Sequence, residues 1–198
     1  MIKKIIIALI LSLLCACSIH ITTDKNQADS EKWILNQDYS SIAIVTTKNN
    51  SISEVSEFTS FSGGINSNGY LEISIDLNSL ETNIPIRNER IQNLLFDTKS
   101  FPSADIHTQL KPEDLTIGVH TISFDVDFHG VSSILTAQFM VFEQYGNKVI
   151  TLHKPLVINA SSFGLEGGIN ALKSIANLND ISFTVPMNII LSFEKSSL

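Results

Sequence analysis

The sequence predicts an all-β domain with short helices, and three observations lead to this fold class. Apolar and polar residues alternate in eight or nine segments, the period of two that gives a strand one apolar face. Turn residues such as Asn68-Gly69 separate several of these segments, and only two stretches have helical spacing. Because each strand must bury its apolar face, the strands form either a sandwich or a closed up-and-down barrel.

The first residues have the pattern of a secretory signal peptide. Lys3 and Lys4 precede an apolar run over residues 5–14, shorter than the ~20 residues that a membrane-spanning helix needs. The following Leu14-Cys15-Ala16-Cys17 is similar to the lipobox of bacterial lipoproteins. We therefore predict a lipoprotein signal peptide over residues 1–16, with an ordinary signal peptide cut nearby as the alternative.

The lipobox predicts that Cys17 becomes the mature N-terminus, carrying a thioether-linked diacylglycerol and an N-acyl chain such as palmitate. Cys15 is the competing acceptor, but the bulky Leu14 lies where a small residue is wanted. Three acyl chains hold a protein on a membrane far more firmly than one does. Since Ser18 is not the aspartate that retains enteric lipoproteins at the inner membrane, we expect an outer-membrane anchor that faces the periplasm.

Residues 17–31 are polar and without periodicity, which is typical of a flexible tether. Residues 32–198 are long enough for one domain with a sizeable core. Both cysteines precede this domain, which excludes disulfides, cysteine-ligated zinc and cysteine nucleophiles from it. The net charge of the chain is −7, and cleavage removes two of its 13 basic residues to leave 11 against 20 acidic ones, or −9. Without a basic stripe, nucleic acid is not an expected partner.

The predicted strands follow one another through the domain with short turns between them. Their ranges are 33–39, 41–47, 55–61, 71–77, 104–110, 122–128, 135–141, 149–158 and 181–194. In the last of these, apolar residues occupy the odd positions, and Pro186 on the polar face suggests an edge or a bulge there.

Two helices are predicted from apolar spacing. Ile91, Leu94 and Leu95 lie at i, i+3 and i+4, and Asn88 precedes them as an N-cap. The Phe101-Pro102 pair after this helix forces an extended exit. The second helix is predicted over residues 168–176, with an apolar face made by Ile169, Leu172 and Ile175.

The first helix and its surroundings resemble the YceI-like family of bacterial envelope proteins. The residues that match the family pattern are Ser79, Thr82, Arg87, Phe96, Asp97, Phe101 and Pro102. Asn88 replaces the family's aspartate, Arg90 its histidine and Ile91 its leucine. Two later segments also resemble the family, His129-Gly130-Val131-Ser132 and Phe163-Gly164. The resemblance implies a lipocalin-like antiparallel barrel of about eight strands with two helical segments, and a long isoprenoid or other long-chain lipid inside it.

Because side chains along a strand point alternately inward and outward, the apolar positions of each strand are those that would face such a ligand. The predicted cavity-facing residues are Leu71, Ile73, Ile75, Phe124, Val126, Phe139, Val141, Val185, Ile189 and Leu191. Inward-facing residues of a small barrel also commonly pack against each other and fill it, so a filled core is the alternative. The motif residues Ser79, Thr82, Arg87, Asn88, Phe96, Phe101 and Pro102 are assigned a structural role.

No catalytic constellation is found, and an enzyme is not predicted: the sequence has no Gly-x-Ser-x-Gly elbow, P-loop, His-Glu-x-x-His or dinucleotide fingerprint. Asp125, Asp127 and His129 lie at i, i+2 and i+4, where they could face a metal, but a solvated outer strand face is the favoured interpretation. Gly164–Gly168 before a helix could bind an anion, although a plain loop and helix start is favoured. No metal site and no cofactor are predicted.

The leading functional hypothesis is a lipid-anchored periplasmic protein that carries or stores a long-chain isoprenoid or a similar amphiphile. The second is a structural or stress-protective envelope lipoprotein with a filled barrel, and a lipid-directed hydrolase is a distant third. The expected partners are the lipid ligand and, through the N-terminal anchor, the membrane. A protein partner cannot be named from the sequence.

Overall fold

Eleven strands, two α-helices and short helical turns make up residues 32–196, which are the residues that this computed structural model describes. The predicted signal peptide 1–16, the tether 17–31 and the anchor Cys17 lie outside the described residues. None of the helices in residues 32–196 is long and apolar enough to cross a membrane.

The elements follow the chain in a simple order. The strands are β1 Trp33–Lys48, β2 Ile52–Phe58, β3 Phe61–Ile65, β4 Tyr70–Asp76, β5 Leu80–Glu81, β6 Ser103–Gln109, β7 Gly118–Phe128, β8 Val131–Gln144, β9 Asn147–Leu152, β10 Leu156–Asn159 and β11 Thr184–Lys195. Helix α1 spans Pro85–Arg90 and continues directly into a π-helical turn over Ile91–Phe96, and α2 spans Glu166–Ile175. Shorter 3₁₀ turns lie at Leu77–Ser79, Pro112–Leu115 and Ala160–Phe163.

The antiparallel sheet closes into a barrel because β1 pairs with β11, from Trp33 opposite Lys195 to Ile44 opposite Met187. Eight strands form the ring in the order β1, β3, β4, β6, β7, β8, β9 and β11. The prediction of a closed antiparallel barrel with two helical segments is therefore confirmed.

The first two predicted strands are in fact one strand, and the prediction of two was wrong. β1 runs without a break through Tyr39 and Ser40, where its pairing with β11 shifts between Asn36 and Ser41. The Ser40 hydroxyl donates to the Asn36 carbonyl at 2.6 Å and accepts from the Ser192 N–H at 2.9 Å. Hydrogen bonds to and from the Ser40 side chain thus stabilise a bulge where the sequence predicted a break between two strands.

The bulge changes the neighbours of β1 and opens one end of the barrel. Before the bulge β1 pairs with β3, and after it β1 pairs with β2. Strand β11 also changes neighbours on the edge away from β1. Its first half pairs with β10 and its second half pairs with β9. Predicted strand 149–158 is accordingly two strands, β9 and β10, separated at His153-Lys154-Pro155 because Pro155 has no N–H for the ladder.

Helix α1 begins earlier than predicted. Pro85 occupies its first turn, where a missing N–H costs nothing, and Ile84 is the N-cap. Asn88 is therefore inside the helix and is not its cap, which corrects the sequence prediction. Its Oδ1 atom accepts from the Thr82 N–H at 3.0 Å and from the Thr82 hydroxyl at 2.6 Å, and Nδ2 donates to Glu81 at 2.9 Å. Through these hydrogen bonds Asn88 links α1 to β5 and to the residue that follows it.

Helix α2 packs closely against the π-helical turn. A Cβ atom on Gly168 would lie 2.5 Å from the Leu94 carbonyl oxygen and 2.7 Å from the Leu95 Cα, so only glycine allows this approach. Both helices lie at the open end of the barrel, where residues of α1 and α2 face its interior. The other end is filled by buried side chains, namely Trp33, Leu35, Ile65, Ile73, Leu110, Ile122, Phe139, Val141, Ile150, Leu191 and Phe193.

Candidate ligand-binding cavity

An apolar cavity of about 510 Å³ lies at the helical end of the barrel. Its walls are the second half of β1, the β2 strand, β10, the start of β11 and the inner faces of β4, β6 and β7. The helices cover it, with Ile91 and Leu95 from the π-helical turn and Ile169 and Leu172 from α2. Its size is in the range of cavities that bind small molecules.

Half of the residues predicted to face a ligand line this cavity. These are Ile75, Phe124, Val126, Val185 and Ile189. The other half do not line it: Ile73, Phe139, Val141 and Leu191 are buried in the filled end, and Leu71 is partly buried against the same core. Strand parity reports which side chains point inward, but not their depth along the barrel axis.

Most of the remaining lining residues were not identified from the sequence. Ile44 and Phe58 belong to β1 and β2 after the bulge, and Ile91 and Leu95 belong to the π-helical turn. The i, i+4 spacing of Ile91 and Leu95 was the signal that could have found them, because it marks one apolar helix face. Leu94 was predicted on that face but is 40% exposed.

Charged residues are confined to the part of the rim beside α1, which we call the mouth and define by Lys48, Glu54, Ile86, Arg87 and Arg90. Glu54 accepts from both neighbouring cations, with its Oε2 atom 2.7 Å from Lys48 Nζ and 2.9 Å from Arg87 Nη1. The hydrogen bond from Lys48 is the main cause that lowers the pKa of Glu54, and the Arg87 charge adds to it against partial burial. Glu54 is therefore ionised at neutral pH.

The motif residues build the helical end. The Ser79 hydroxyl donates to the Asp76 carbonyl at 2.6 Å, and Thr82 is held by Asn88 as described above. Phe96 is 4% exposed and contacts the rings of Phe58 and Phe128. Thr82, Arg87 and Phe96 also line the cavity.

The Phe101-Pro102 exit anchors the start of β6 against neighbouring turns. The Pro102 carbonyl accepts from the Leu77 N–H at 3.0 Å. The Phe101 ring lies 4.7 Å from the ring of His129 and would be 2.9 Å from a Cβ atom on Gly130. This close contact, together with a φ of +75°, explains why glycine follows His129.

The three residues considered as metal ligands do not share one face. His129 has a φ of +52°, in the β7–β8 turn, and its Nδ1 atom donates to the Phe163 carbonyl at 3.2 Å. The histidine beside Asp125 and Asp127 is His107 of β6, whose ring nitrogens lie 4.0 and 3.8 Å from those carboxylates. Within residues 32–196, no group of three or more histidine, cysteine, aspartate or glutamate residues is arranged to hold a metal ion.

The glycine-rich segment 164–168 has a packing role that the structure makes explicit. Gly164 adopts a left-handed conformation with a φ of +70° at the end of the Ala160–Phe163 turn. The Ile169 N–H donates to the Leu165 carbonyl at 3.0 Å as α2 begins, and Gly168 contacts the π-helical turn. The observed geometry therefore accounts for Gly164 through chain reversal and for Gly168 through helix packing.

Solved structures with the same fold include proteins from three bacteria. A polyisoprenoid binding domain from Saccharophagus degradans implicated in plant cell wall breakdown is 31% identical, with a TM-score of 0.79 over 83% of this chain and 98% of that chain. BcnA from Burkholderia cenocepacia is 17% identical, with a TM-score of 0.64 over 80% and 98% of the two chains. The Campylobacter jejuni YCEI protein is 14% identical, with a TM-score of 0.52 over 72% and 85%.

A comparison with curated protein sequences found no significant match. The family model of the YceI-like domain matches residues 33–193. With the barrel, the helical end and this match in agreement, the chain belongs to the YceI-like family.

Proposed function

We propose that this protein binds a long-chain isoprenoid or a similar amphiphilic lipid in the cavity at the helical end of its barrel. The observation that carries the proposal is the cavity itself, about 510 Å³ in volume and lined mainly by aliphatic and aromatic side chains. A linear apolar chain gains about 25 cal/mol for each Å² that it removes from water, without needing polar partners. The relative from Saccharophagus degradans, which is described as polyisoprenoid binding, supports the same class of ligand.

The volume sets how much of a ligand the cavity encloses. At about 510 Å³ the cavity is of the size that takes a small molecule, so it encloses only part of a long lipid chain. A longer chain extends through the mouth, because the opposite end of the barrel is filled by side chains.

The test is to purify residues 32–198 without detergent and to analyse an organic extract by mass spectrometry. We expect an amphiphile in near-equimolar amount to the protein. If nothing is extracted and no added prenyl or fatty amphiphile binds, the lipid-binding proposal is wrong. The filled-barrel alternative, a structural or stress-protective protein, would then be favoured, since one end of the barrel is already packed with side chains.

We further propose that the protein acts at the periplasmic side of the outer membrane as a carrier or a store for this lipid, anchored through Cys17. The support is the lipobox around Cys17 and the polar tether that follows it. A tether of this length leaves the barrel close to the membrane that supplies the lipid. No catalytic role is proposed, because binding is the activity that the family relationship supports.

A further inference from the structure

The mouth is the one charged part of the lining within the described residues. Lys48, Arg87 and Arg90 contribute three positive charges there, and Glu54 contributes one negative charge, which leaves a net charge of +2. Residues 32–196 as a whole hold 10 basic and 17 acidic side chains, a net charge of −7. The positive mouth is therefore opposite in sign to the rest of the domain.

The cavity opens to solvent beside α1, where these charges are. Ile84 and Ile86 both line the cavity and are also 39% and 52% exposed. Arg87 and Arg90 are three residues apart in α1, so they lie on neighbouring positions of one helix face. An amphiphile that enters chain first would leave its polar end at these side chains.

Arg90 is the cation of the mouth that has no carboxylate. Glu54 binds Lys48 and Arg87, whereas within residues 32–196 Arg90 has no ion pair and no side-chain hydrogen bond. Its side chain is half-buried at the edge of an apolar cavity. A guanidinium in such a place is a ready partner for a carboxylate or a phosphate, which it can bind through two parallel hydrogen bonds.

We propose that the ligand is an anionic amphiphile, whose carboxylate or phosphate headgroup binds Arg90 at the mouth while its apolar chain occupies the cavity. Arg87 and Lys48 add to the attraction but share their charge with Glu54. This inference rests on the proposed lipid-binding function and specifies the charge of the ligand.

The experiment compares two probes of equal chain length in residues 32–198, the fluorescent cis-parinaric acid and its uncharged methyl ester. We expect the acid to bind ten- to hundredfold more tightly than the ester, the usual effect of one hydrogen bond between charged groups. Arg90→Gln should reduce the affinity for the acid about tenfold and leave that for the ester unchanged. Arg90→Lys should retain most of the preference for the acid over the ester. Added salt should weaken the binding of the acid and leave that of the ester unchanged.

The matched control is Lys99→Gln, which removes an exposed cation that does not line the cavity and should change neither affinity. Equal affinity of the unchanged domain for acid and ester would overturn the proposal of an anionic headgroup, while the lipid-binding function would still stand. Failure of both probes to bind would overturn the function itself. Inorganic phosphate at millimolar concentration should not displace the acid, and displacement at micromolar concentration would identify a free-anion site instead.

Discussion

At the scale of single residues, Glu54 connects two elements, because its carboxylate accepts from Lys48 of β1 and from Arg87 of α1. The pKa of Glu54 in the folded protein is lowered, so its contribution to stability is present above the unfolded pKa and is lost as pH falls through the folded pKa. The side chain is about one-third exposed, and screening by solvent limits the contribution.

We predict that Glu54→Gln lowers the free energy of unfolding by about 0.5–1 kcal/mol at pH 7. The difference should stay constant down to about pH 5 and disappear below the folded pKa, because the wild-type carboxyl is then neutral too. Urea denaturation at a series of pH values measures this. Glu57→Gln, on the outward face of β2, should show no such dependence; a pH-independent loss for Glu54→Gln would contradict the ionic explanation.

Asn88 is a second residue whose role depends on its hydrogen bonds, since it accepts from both the N–H and the hydroxyl of the buried Thr82. Asn88→Ala removes this acceptor and should lower the free energy of unfolding by about 1–3 kcal/mol. Asn93→Ala, in the same helical segment but exposed, should cost less than about 0.5 kcal/mol. Equal losses in urea denaturation would mean that helix propensity, and not the Thr82 contact, is being measured.

At the scale of elements, α2 and the π-helical turn meet through Gly168, where a Cβ atom would lie 2.5 Å from the Leu94 carbonyl oxygen. Gly168→Ala should therefore lower the free energy of unfolding by about 1–3 kcal/mol, although alanine favours helices. Gly167→Ala is the matched control, because nothing lies within 4 Å of its Cβ position. Thermal unfolding should show a gain or no change for Gly167→Ala, and a gain for Gly168→Ala would contradict the close packing.

Strand β4 crosses the boundary between the filled end and the cavity. Ile75 lines the cavity, whereas Ile73, on the same face, is 1% exposed in the packed core. We predict that Ile75→Trp displaces bound lipid with little loss of stability, and that Ile73→Trp keeps lipid but loses about 1–3 kcal/mol by overpacking. Lipid extraction and thermal unfolding distinguish the two. Glu72 points outward, so Glu72→Trp should change neither the lipid content nor the stability. Identical behaviour of the two isoleucine variants would contradict a boundary between packed core and cavity within β4.

At the scale of the whole molecule, membrane attachment depends on a single atom, the Cys17 sulfur, if the lipobox is processed as predicted. Cys17→Ala should abolish labelling by a fatty-acid probe, while Cys15→Ala should label normally because Ala16 still precedes the acceptor. Labelling of growing cells followed by fractionation of the membranes measures both. Full labelling of Cys17→Ala would end the lipoprotein interpretation, and recovery of the labelled wild type in the inner membrane would contradict the proposed location.

The fold class follows from residues that are neighbours in the sequence. Alternation in segments such as Leu71 to Leu77 is a local property, and the structure confirms that Ile73 and Ile75 face inward. The bulge in β1 was missed because Ser40 acts through Ser192, which is 152 positions away. The start of α1 differs from the prediction because Pro85, whose missing N–H fits a first helical turn, begins the helix three residues before Asn88.

The sequence by itself determined an all-β domain with two short helices, because a period of two or 3.6 residues defines each element and its apolar face. That pattern left a sandwich and a barrel open, and only the resemblance to the YceI-like family favoured the barrel. Only the tertiary structure decided which inward side chains pack together and which surround a cavity. That outcome depends on how the helices and the β2 and β10 strands cover the open end of the barrel, through contacts between segments far apart in the chain. The pairing of Glu54 with Lys48 and Arg87, which leaves Arg90 available at the mouth, is a consequence of the same long-range assembly.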